Sequence, residues 1–166
     1  MTPKAGDVLF VDTNVLLTAT DEQRAHHKDA LTVLGTAASK GIHLALSGQI
    51  LREYLVVATR PRPSNGLGLS TADALANVDE FLRCVIVYDE TEAVARRLRA
   101  LVRSAGLSGT RIHDGNVAAT MLAHGLTLIL TQNAADFEAF AGLAIVTPAE
   151  AAQAVETDDS PATPLA

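Results

Sequence analysis

Four acidic residues of the sequence could act together at one site: Asp12, Glu53, Asp114 and Asp136. Asp12 follows directly after the apolar run Val8–Val11, and Asp136 follows a second such run, Leu126–Leu130, within a few residues. Carboxylates that are packed together repel one another and take up protons unless a cation compensates their charge. Ligand sets made only of oxygen suit Mg²⁺ or Mn²⁺. A water molecule activated by such an ion can attack a phosphodiester, so these residues are consistent with a metal-dependent nuclease.

Other kinds of catalytic site find less support in the sequence. No Ser or Cys nucleophile with a nearby base is evident, and neither a P-loop nor a GxGxxG motif is present. No Cys/His spacing suits zinc, and the single cysteine, Cys84, excludes an intrachain disulfide framework. The acids also have a purely structural interpretation, since Asp12 alone could be a helix N-cap and Glu53 a surface glutamate.

Short apolar runs and the helical spacing of apolar residues define the elements that must position these acids. Strands are predicted at Val8–Val11, Ile42–Leu46, Cys84–Val87, Leu126–Leu130 and Leu143–Val146. Helices are predicted at Val15–Ala19, at Arg24–Lys40 and from Gly48 to about Thr59. Further helices are predicted from Ser70 or Thr71 to about Arg83, from Asp89 or Thr91 to Arg103, from His113 until Gly125 stops it, and from Pro148 onward. We expect Thr13 or Asn14 to cap the first helix and Ser47 to cap the third.

The alternation of strands and helices predicts an α/β fold, with one parallel sheet of about five strands and helices on both of its faces. Residues 1–155 would form this single domain, and residues 156–166 would be a disordered, acidic and Pro-containing tail. Because ligands bind at the carboxyl edge of such sheets, Asp12, Asp114 and Asp136 should converge there. Glu53, on the helix after the second strand, could complete the group.

The composition sets limits on the class of protein. A chain of 166 residues suits one domain with a substantial core, and its net charge of −6 argues against a protein that coats nucleic acid generally. The sequence has no apolar run long enough for a membrane span, and its first residues lack the apolar segment of a signal peptide. We therefore expect a cytoplasmic protein with no membrane partner.

The motifs around the acids resemble those of the PIN-domain nucleases, and in particular the VapC-type ribonuclease toxins of bacterial toxin–antitoxin pairs. The motifs are Asp12-Thr13-Asn14-Val15-Leu16-Leu17 after a strand, a mid-chain Glu53, His113-Asp114 followed by Ala118-Ala119, and Thr131-Gln132-Asn133-Ala134-Ala135-Asp136-Phe137. Each motif alone is weak, but all of them occur in the right order on the right elements. The resemblance extends from about Val8 to Glu150.

This resemblance implies a Mg²⁺- or Mn²⁺-dependent endoribonuclease that hydrolyses RNA with metal-activated water and uses the four acids as catalytic residues. Asp12, Asp114 and Asp136 would form the metal site. Asp12 and Asp114 would be direct ligands, while Asp136 and Glu53 would hold metal-bound waters or a second ion. The residues that would orient the carboxylates by hydrogen bonds are Thr13, Asn14, Thr131 and Asn133. The resemblance also implies a homodimer and a cognate antitoxin that covers the site.

Two other functions remain open at this point. One is a PIN-like module that binds RNA or a partner without cutting. The other is a phosphatase of the haloacid dehalogenase type with Asp12 as nucleophile, which lacks a second acid at position 14 and any lysine after Lys40. Four arginines could contact the phosphates of an RNA substrate, although an arginine in such a position is more often an ordinary surface residue: Arg52, Arg60, Arg62 and Arg111.

Overall fold

Five parallel strands form one sheet in this computed structural model, which describes residues 2–157. The strands are β1 (Val8–Val11), β2 (His43–Ser47), β3 (Val85–Tyr88), β4 (Leu128–Leu130) and β5 (Ala144–Val146). Their order across the sheet is β3-β2-β1-β4-β5. The central strands β1 and β4 are almost entirely buried, which explains why they read as unbroken apolar runs rather than as alternating patterns.

The helices fall into two groups that pack among themselves. The described residues contain α1 (Thr13–Thr20), α2 (His27–Thr36), α3 (Gly48–Thr59), α4 (Thr71–Leu82), α5 (Glu92–Ala105), α6 (Arg111–Ala123), α7 (Ala134–Phe137) and α8 (Pro148–Thr157), with 3₁₀ turns at Ala37–Lys40 and Arg62–Ser64. Helix α1 contacts α2 and α3, α3 contacts α4, and α2 contacts α8, whereas α6 contacts α5 and α7. The predicted α/β fold, with a five-stranded parallel sheet between helical layers, is confirmed.

The chain changes direction across the sheet between β1 and β4. Strands β1, β2 and β3 follow one another to one side, and the chain then returns to place β4 and β5 on the other side of β1. At such a switch point the connections leave the two neighbouring strands in opposite directions, so a crevice opens at their carboxyl ends. Asp12 and Thr131 are the residues that follow β1 and β4 at this point.

Several local predictions differ from the structure. The predicted helix Arg24–Lys40 is shorter, because His26 has a left-handed backbone (φ 64°) just before α2 and the chain tightens to a 3₁₀ turn after Thr36. Ser47 occupies the N-cap position of α3 as predicted, but its hydroxyl makes no capping bond and is buried without a partner among the described residues. Helix α8 continues to Thr157, past the predicted start of the tail at residue 156, while residues 158–166 lie outside the described residues.

No helix within residues 2–157 combines the length and the apolar character needed to cross a membrane.

Candidate active site

Asp12 stands at the junction of strand β1 and helix α1, beside the end of β4. Its backbone N–H donates to the Leu130 carbonyl at 3.0 Å, which continues the pairing of the two strands by one residue. Its carboxylate oxygen Oδ2 accepts hydrogen bonds from Asn14 Nδ2 and Thr131 Oγ1, each at 2.7 Å. The carboxylate is therefore fixed at the switch point of the sheet by Asn14, from the first turn of α1, and by Thr131, which directly follows β4.

The surroundings of Asp12 disfavour its charged form. Burial raises the pKa of Asp12 from 3.8 to about 6, and the negative charges of Glu53 and Asp114 push it in the same direction. The hydrogen bond from Thr131 opposes this rise in the pKa but does not cancel it. The carboxylate is thus held rigidly in a position where a negative charge is costly.

The segment after β4 is tied to the same cluster. Asn14 Nδ2 also donates to Thr131 Oγ1 at 3.0 Å, and Asn14 Oδ1 accepts from the backbone N–H of Gln132 at 3.2 Å. The backbone N–H of Asn133 donates to Thr131 Oγ1 at 3.0 Å. Asn133 therefore acts through its backbone on Thr131, and the direct contact with a carboxylate that the sequence suggested for its side chain is absent among the described residues.

The predicted capping of α1 by Thr13 or Asn14 was wrong. Asp12 occupies the N-cap position without a side-chain capping bond, and both candidates lie inside the first turn of the helix. Their side chains are engaged elsewhere, Asn14 with Asp12 and Thr131, and Thr13 with Glu53. The start of α1 thus uses its polar side chains to hold acids rather than to satisfy its own backbone.

Glu53 reaches the cluster from the second turn of α3. Its Oε2 accepts a hydrogen bond from Thr13 Oγ1 at 2.9 Å, and its Oε1 accepts one from Gln49 Nε2 at 2.7 Å. His113 Nδ1 lies 3.7 Å from Glu53 Oε1, which is close enough for an ion pair when the imidazole is protonated. Both carboxylate oxygens of Glu53 are therefore held, and the side chain is about one-third exposed.

Asp114 and Asp136 lie in the first turns of α6 and α7. Burial raises the pKa of Asp114 to about 6, with further increases from the charges of Asp136 and Glu53, while Arg111 and His113 lower it. Among the described residues no hydrogen bond reaches either carboxylate. Asp114 thus interacts electrostatically with each of the other three acids, whereas side-chain hydrogen bonds anchor only Asp12 and Glu53.

An open cleft of about 730 Å³ lies over three of these acids. Its lining residues include Glu53, Asp114 and Asp136 together with Arg52, Arg60, Arg111, His113 and Val56. A somewhat larger depression, about 840 Å³, covers the turn at residues 22–31 and contacts none of the acids. The smaller cleft is therefore the one that three of the four acids line.

The four arginines suggested as phosphate contacts separate into two places. Arg52, Arg60 and Arg111 line the acidic cleft, and Arg52 also lies 3.6 Å from Glu90. Arg62 is instead directed to Asp21, with 4.0 Å between Nη1 and Oδ2, and is not part of the cleft lining. The cleft therefore has a positive rim above a negative floor.

Three polar residues beside the site were not predicted from the sequence: Gln49, Glu90 and Asn116. Gln49 lies one helical turn before Glu53, and this spacing of four residues on an apolar helix was the available signal. Glu90 comes from the loop after β3 and accepts hydrogen bonds from the Gln49 backbone N–H at 2.8 Å and from Asn116 Nδ2 at 3.1 Å. Local patterns could not reveal these pairings, which join separate elements.

The donor set suits a hard divalent cation, although the described residues do not present an assembled metal site. No group of three or more His, Cys, Asp or Glu side chains within residues 2–157 has the arrangement needed to hold a metal ion. The four acids nevertheless supply only oxygen ligands. The pKa values of Asp12 and Asp114 are raised mainly by burial and further by the neighbouring carboxylates, and a cation would relieve this second contribution.

The fold and the site together define a doubly wound α/β domain with an acid cluster at the switch point of its sheet. Residues 9–143 match the family model described as the PIN domain, and the chain belongs to this family. The predicted family is thereby confirmed. The haloacid dehalogenase alternative loses its basis, because that assignment required a different family.

The solved structures that the chain is similar to include VapC-containing complexes. VapBC2 from Rickettsia felis, bound to a promoter DNA fragment, has a TM-score of 0.63 at 18% identity over 84% of this chain and 98% of the other. DNA-bound VapBC from Salmonella typhimurium has a TM-score of 0.62 at 22% identity over 86% and 98%. Mycobacterium tuberculosis VapC20, a toxin that cleaves the sarcin-ricin loop, has a TM-score of 0.54 at 21% identity over 73% and 86%. No curated protein matched the sequence.

Proposed function

We propose that the protein is a Mg²⁺- or Mn²⁺-dependent endoribonuclease and the toxin of a VapBC-type toxin–antitoxin pair. The observation that carries this proposal is the gathering of four carboxylates from four separate elements at one sheet edge, three of them lining a cleft with an arginine rim. Neighbouring carboxylates with raised pKa values are unfavourable for stability, and their placement in a cleft is typical of a site that uses them.

In the proposed reaction Asp12, Asp114 and Asp136 hold the divalent cation. When bound, the cation supplies an activated water and neutralises charge that develops on the phosphoryl oxygens. Thr131 and Asn14 keep the Asp12 carboxylate in place, and Thr13 and Gln49 keep Glu53 in place as an acceptor for a proton.

The rim of the cleft supplies the RNA-binding groups in this proposal. Arg52, Arg60 and Arg111 are exposed around the acids, where they can form charge-assisted hydrogen bonds with substrate phosphates. A protein of net charge −6 repels the RNA backbone over much of its surface, so binding depends on these local charges. Arg62, which is directed to Asp21, has no part in this contact.

The proposed partners are a cognate antitoxin and a second copy of the chain. Support for the antitoxin comes from the similarity of the fold to chains that occur in VapBC complexes of Rickettsia felis and Salmonella typhimurium. Co-expression with the product of the adjacent reading frame should give a complex that elutes as one species and no longer cleaves RNA. Light scattering of the free protein should give twice the mass of one chain.

A cleavage assay tests the nuclease assignment directly. Wild-type protein, Asp12→Asn and the exposed control Asp79→Asn are incubated with a circular single-stranded RNA and Mn²⁺ or EDTA. We expect wild type and the control to linearise the RNA only with metal, and Asp12→Asn to be slower by at least about 100-fold. Equal cleavage by wild type and Asp12→Asn would refute the proposal. RNA binding without any cleavage would identify the molecule as a binding module instead.

A further inference from the structure

Gln49 connects two acids of the site through a single buried side chain. It lies in the first turn of α3 and is 4% exposed. Its Nε2 donates to Glu53 Oε1 at 2.7 Å and to the backbone carbonyl of His113 at 2.9 Å. Its Oε1 accepts a hydrogen bond from Asn116 Nδ2 at 2.6 Å. The whole amide is therefore engaged between α3 and α6.

Asn116 fixes which way the Gln49 amide faces. The Asn116 Nδ2 group can only donate, so the atom of Gln49 opposite it has to be the oxygen, and the Nε2 group is left to face Glu53. Glu90 holds this arrangement from the far side, because it accepts from both Asn116 Nδ2 and the Gln49 backbone N–H. The amide is thus prevented from turning its oxygen toward the Glu53 carboxylate, where two acceptors would repel.

Through its hydrogen bond to the His113 carbonyl, Gln49 also restrains the backbone next to a second acid, Asp114. His113 directly precedes Asp114 in the first turn of α6, so the carbonyl that Gln49 holds belongs to the backbone that presents the Asp114 carboxylate. One side chain therefore binds the Glu53 carboxylate itself and the peptide beside Asp114.

We propose that Gln49 is a positioning residue that holds Glu53 and Asp114 at the separation required for catalysis, with Asn116 setting its orientation. This inference rests on the proposed nuclease function. The competing interpretation is that Gln49 merely satisfies buried polar groups and stabilises the packing of α3 against α6. That role predicts an effect on stability alone, whereas a positioning role predicts an effect on the rate and on metal affinity.

The test compares Gln49→Met, Asn116→Ala and the control Gln153→Met with wild type. Methionine has a similar shape to glutamine and donates no hydrogen bond, Asn116 is half-exposed, and Gln153 is exposed on α8. Three quantities are measured: kcat and KM on a single-stranded RNA with Mn²⁺, the affinity for Mn²⁺ alone by calorimetry, and Tm with EDTA. We expect Gln49→Met to lower kcat and Mn²⁺ affinity by about 10- to 100-fold, with KM within about 2-fold.

Asn116→Ala should change the same two quantities in the same direction but by less, since Gln49 is then free to rotate its amide. The control should match wild type in all three measurements. Wild-type kcat and Mn²⁺ affinity in Gln49→Met would overturn the inference and leave the nuclease proposal intact. If Gln49→Met does not fold, Asn116→Ala decides, and wild-type values in that variant overturn the inference. A wild-type protein that neither binds Mn²⁺ nor cleaves RNA would overturn both proposals together.

Discussion

Replacing Asp12 by asparagine should stabilise the metal-free protein while it abolishes activity. The carboxylate and the carboxamide have nearly the same shape, and the amide oxygen of asparagine can still accept the bonds from Asn14 and Thr131. The substitution therefore removes the negative charge and keeps the local contacts. Because the fold disfavours that charge, its removal should raise the free energy of unfolding.

The pKa shift sets the size of this effect. The pKa of Asp12 rises from 3.8 to about 6, and each unit corresponds to about 1.4 kcal/mol, so the charged carboxylate costs the fold at most about 3 kcal/mol. Because Asp12 is itself partly exposed, water screens some of this cost, and we expect a gain of about 1–3 kcal/mol at neutral pH. For a domain of this size, this gain corresponds to a rise in Tm of about 2–10 °C.

The pH dependence has a defined sign. A carboxyl group with a raised pKa binds its proton more tightly in the folded than in the unfolded protein, so its contribution to stability is present at low pH and is lost as the pH rises from about 4 to about 6. Asp12→Asn lacks this loss. The difference in unfolding free energy between the two proteins should be small below about pH 4 and reach a plateau above about pH 6.

Urea denaturation of wild type, Asp12→Asn and the exposed control Asp79→Asn, in EDTA across this pH range, measures the difference directly. Comparison at each pH cancels the titration of the groups that do not interact with Asp12. Added Mn²⁺ should then stabilise wild type much more than Asp12→Asn, because only the native carboxylate site binds the ion well. The electrostatic argument is refuted if metal-free wild type is at least as stable as Asp12→Asn at neutral pH, or if their difference does not change with pH.

Four further substitutions have defined expectations. Glu53→Gln should lower initial cleavage rates by at least about 100-fold with an unchanged circular dichroism spectrum, because it removes the proposed proton acceptor. Arg111→Ala should raise KM for RNA and reduce the slope of log affinity against log salt by about 1, whereas the surface control Arg83→Ala should do neither. In urea denaturation, Gly35→Ala should gain about 0.5–1 kcal/mol, since a Cβ there meets nothing, and Gly115→Ala should lose about 1 kcal/mol, since its Cβ would lie 2.5 Å from a leucine methyl group.

The sheet could be predicted because its strands are apolar runs that are too short to form helices of their own. Val8–Val11 was predicted with its observed bounds, and the bounds of α3 at Gly48 and Thr59 were also predicted correctly. Errors fell where backbone geometry depends on single residues. The left-handed conformation of His26 follows a series of turns rather than any apolar pattern, so helical spacing alone carried the predicted helix too far toward the N-terminus.

In the candidate site, only residues that lie at the ends of predicted strands and helices could be placed from the sequence. Asp12 and Thr131 follow neighbouring strands, so strand order alone brings them together. The Gln49 contacts could not be found in this way, because they join residues that are 64 and 67 positions apart on elements whose facing surfaces the sequence does not specify. Local periodicity predicts which side of a helix is buried but not which polar group it meets there.

The four acids differ in how firmly the fold holds them, and this difference bears on how the site could work. The carboxylates of Asp12 and Glu53 each accept two side-chain hydrogen bonds, whereas those of Asp114 and Asp136 accept none among the described residues. A fixed pair provides a reference position, while an unanchored pair can adjust to a cation at little cost. The absence of an assembled three-ligand group in residues 2–157 is consistent with this division. Burial and, in addition, neighbouring negative charges raise the pKa of both Asp12 and Asp114, so movement of the unanchored Asp114 and Asp136 carboxylates toward the fixed pair would be unfavourable until a cation compensates the charge.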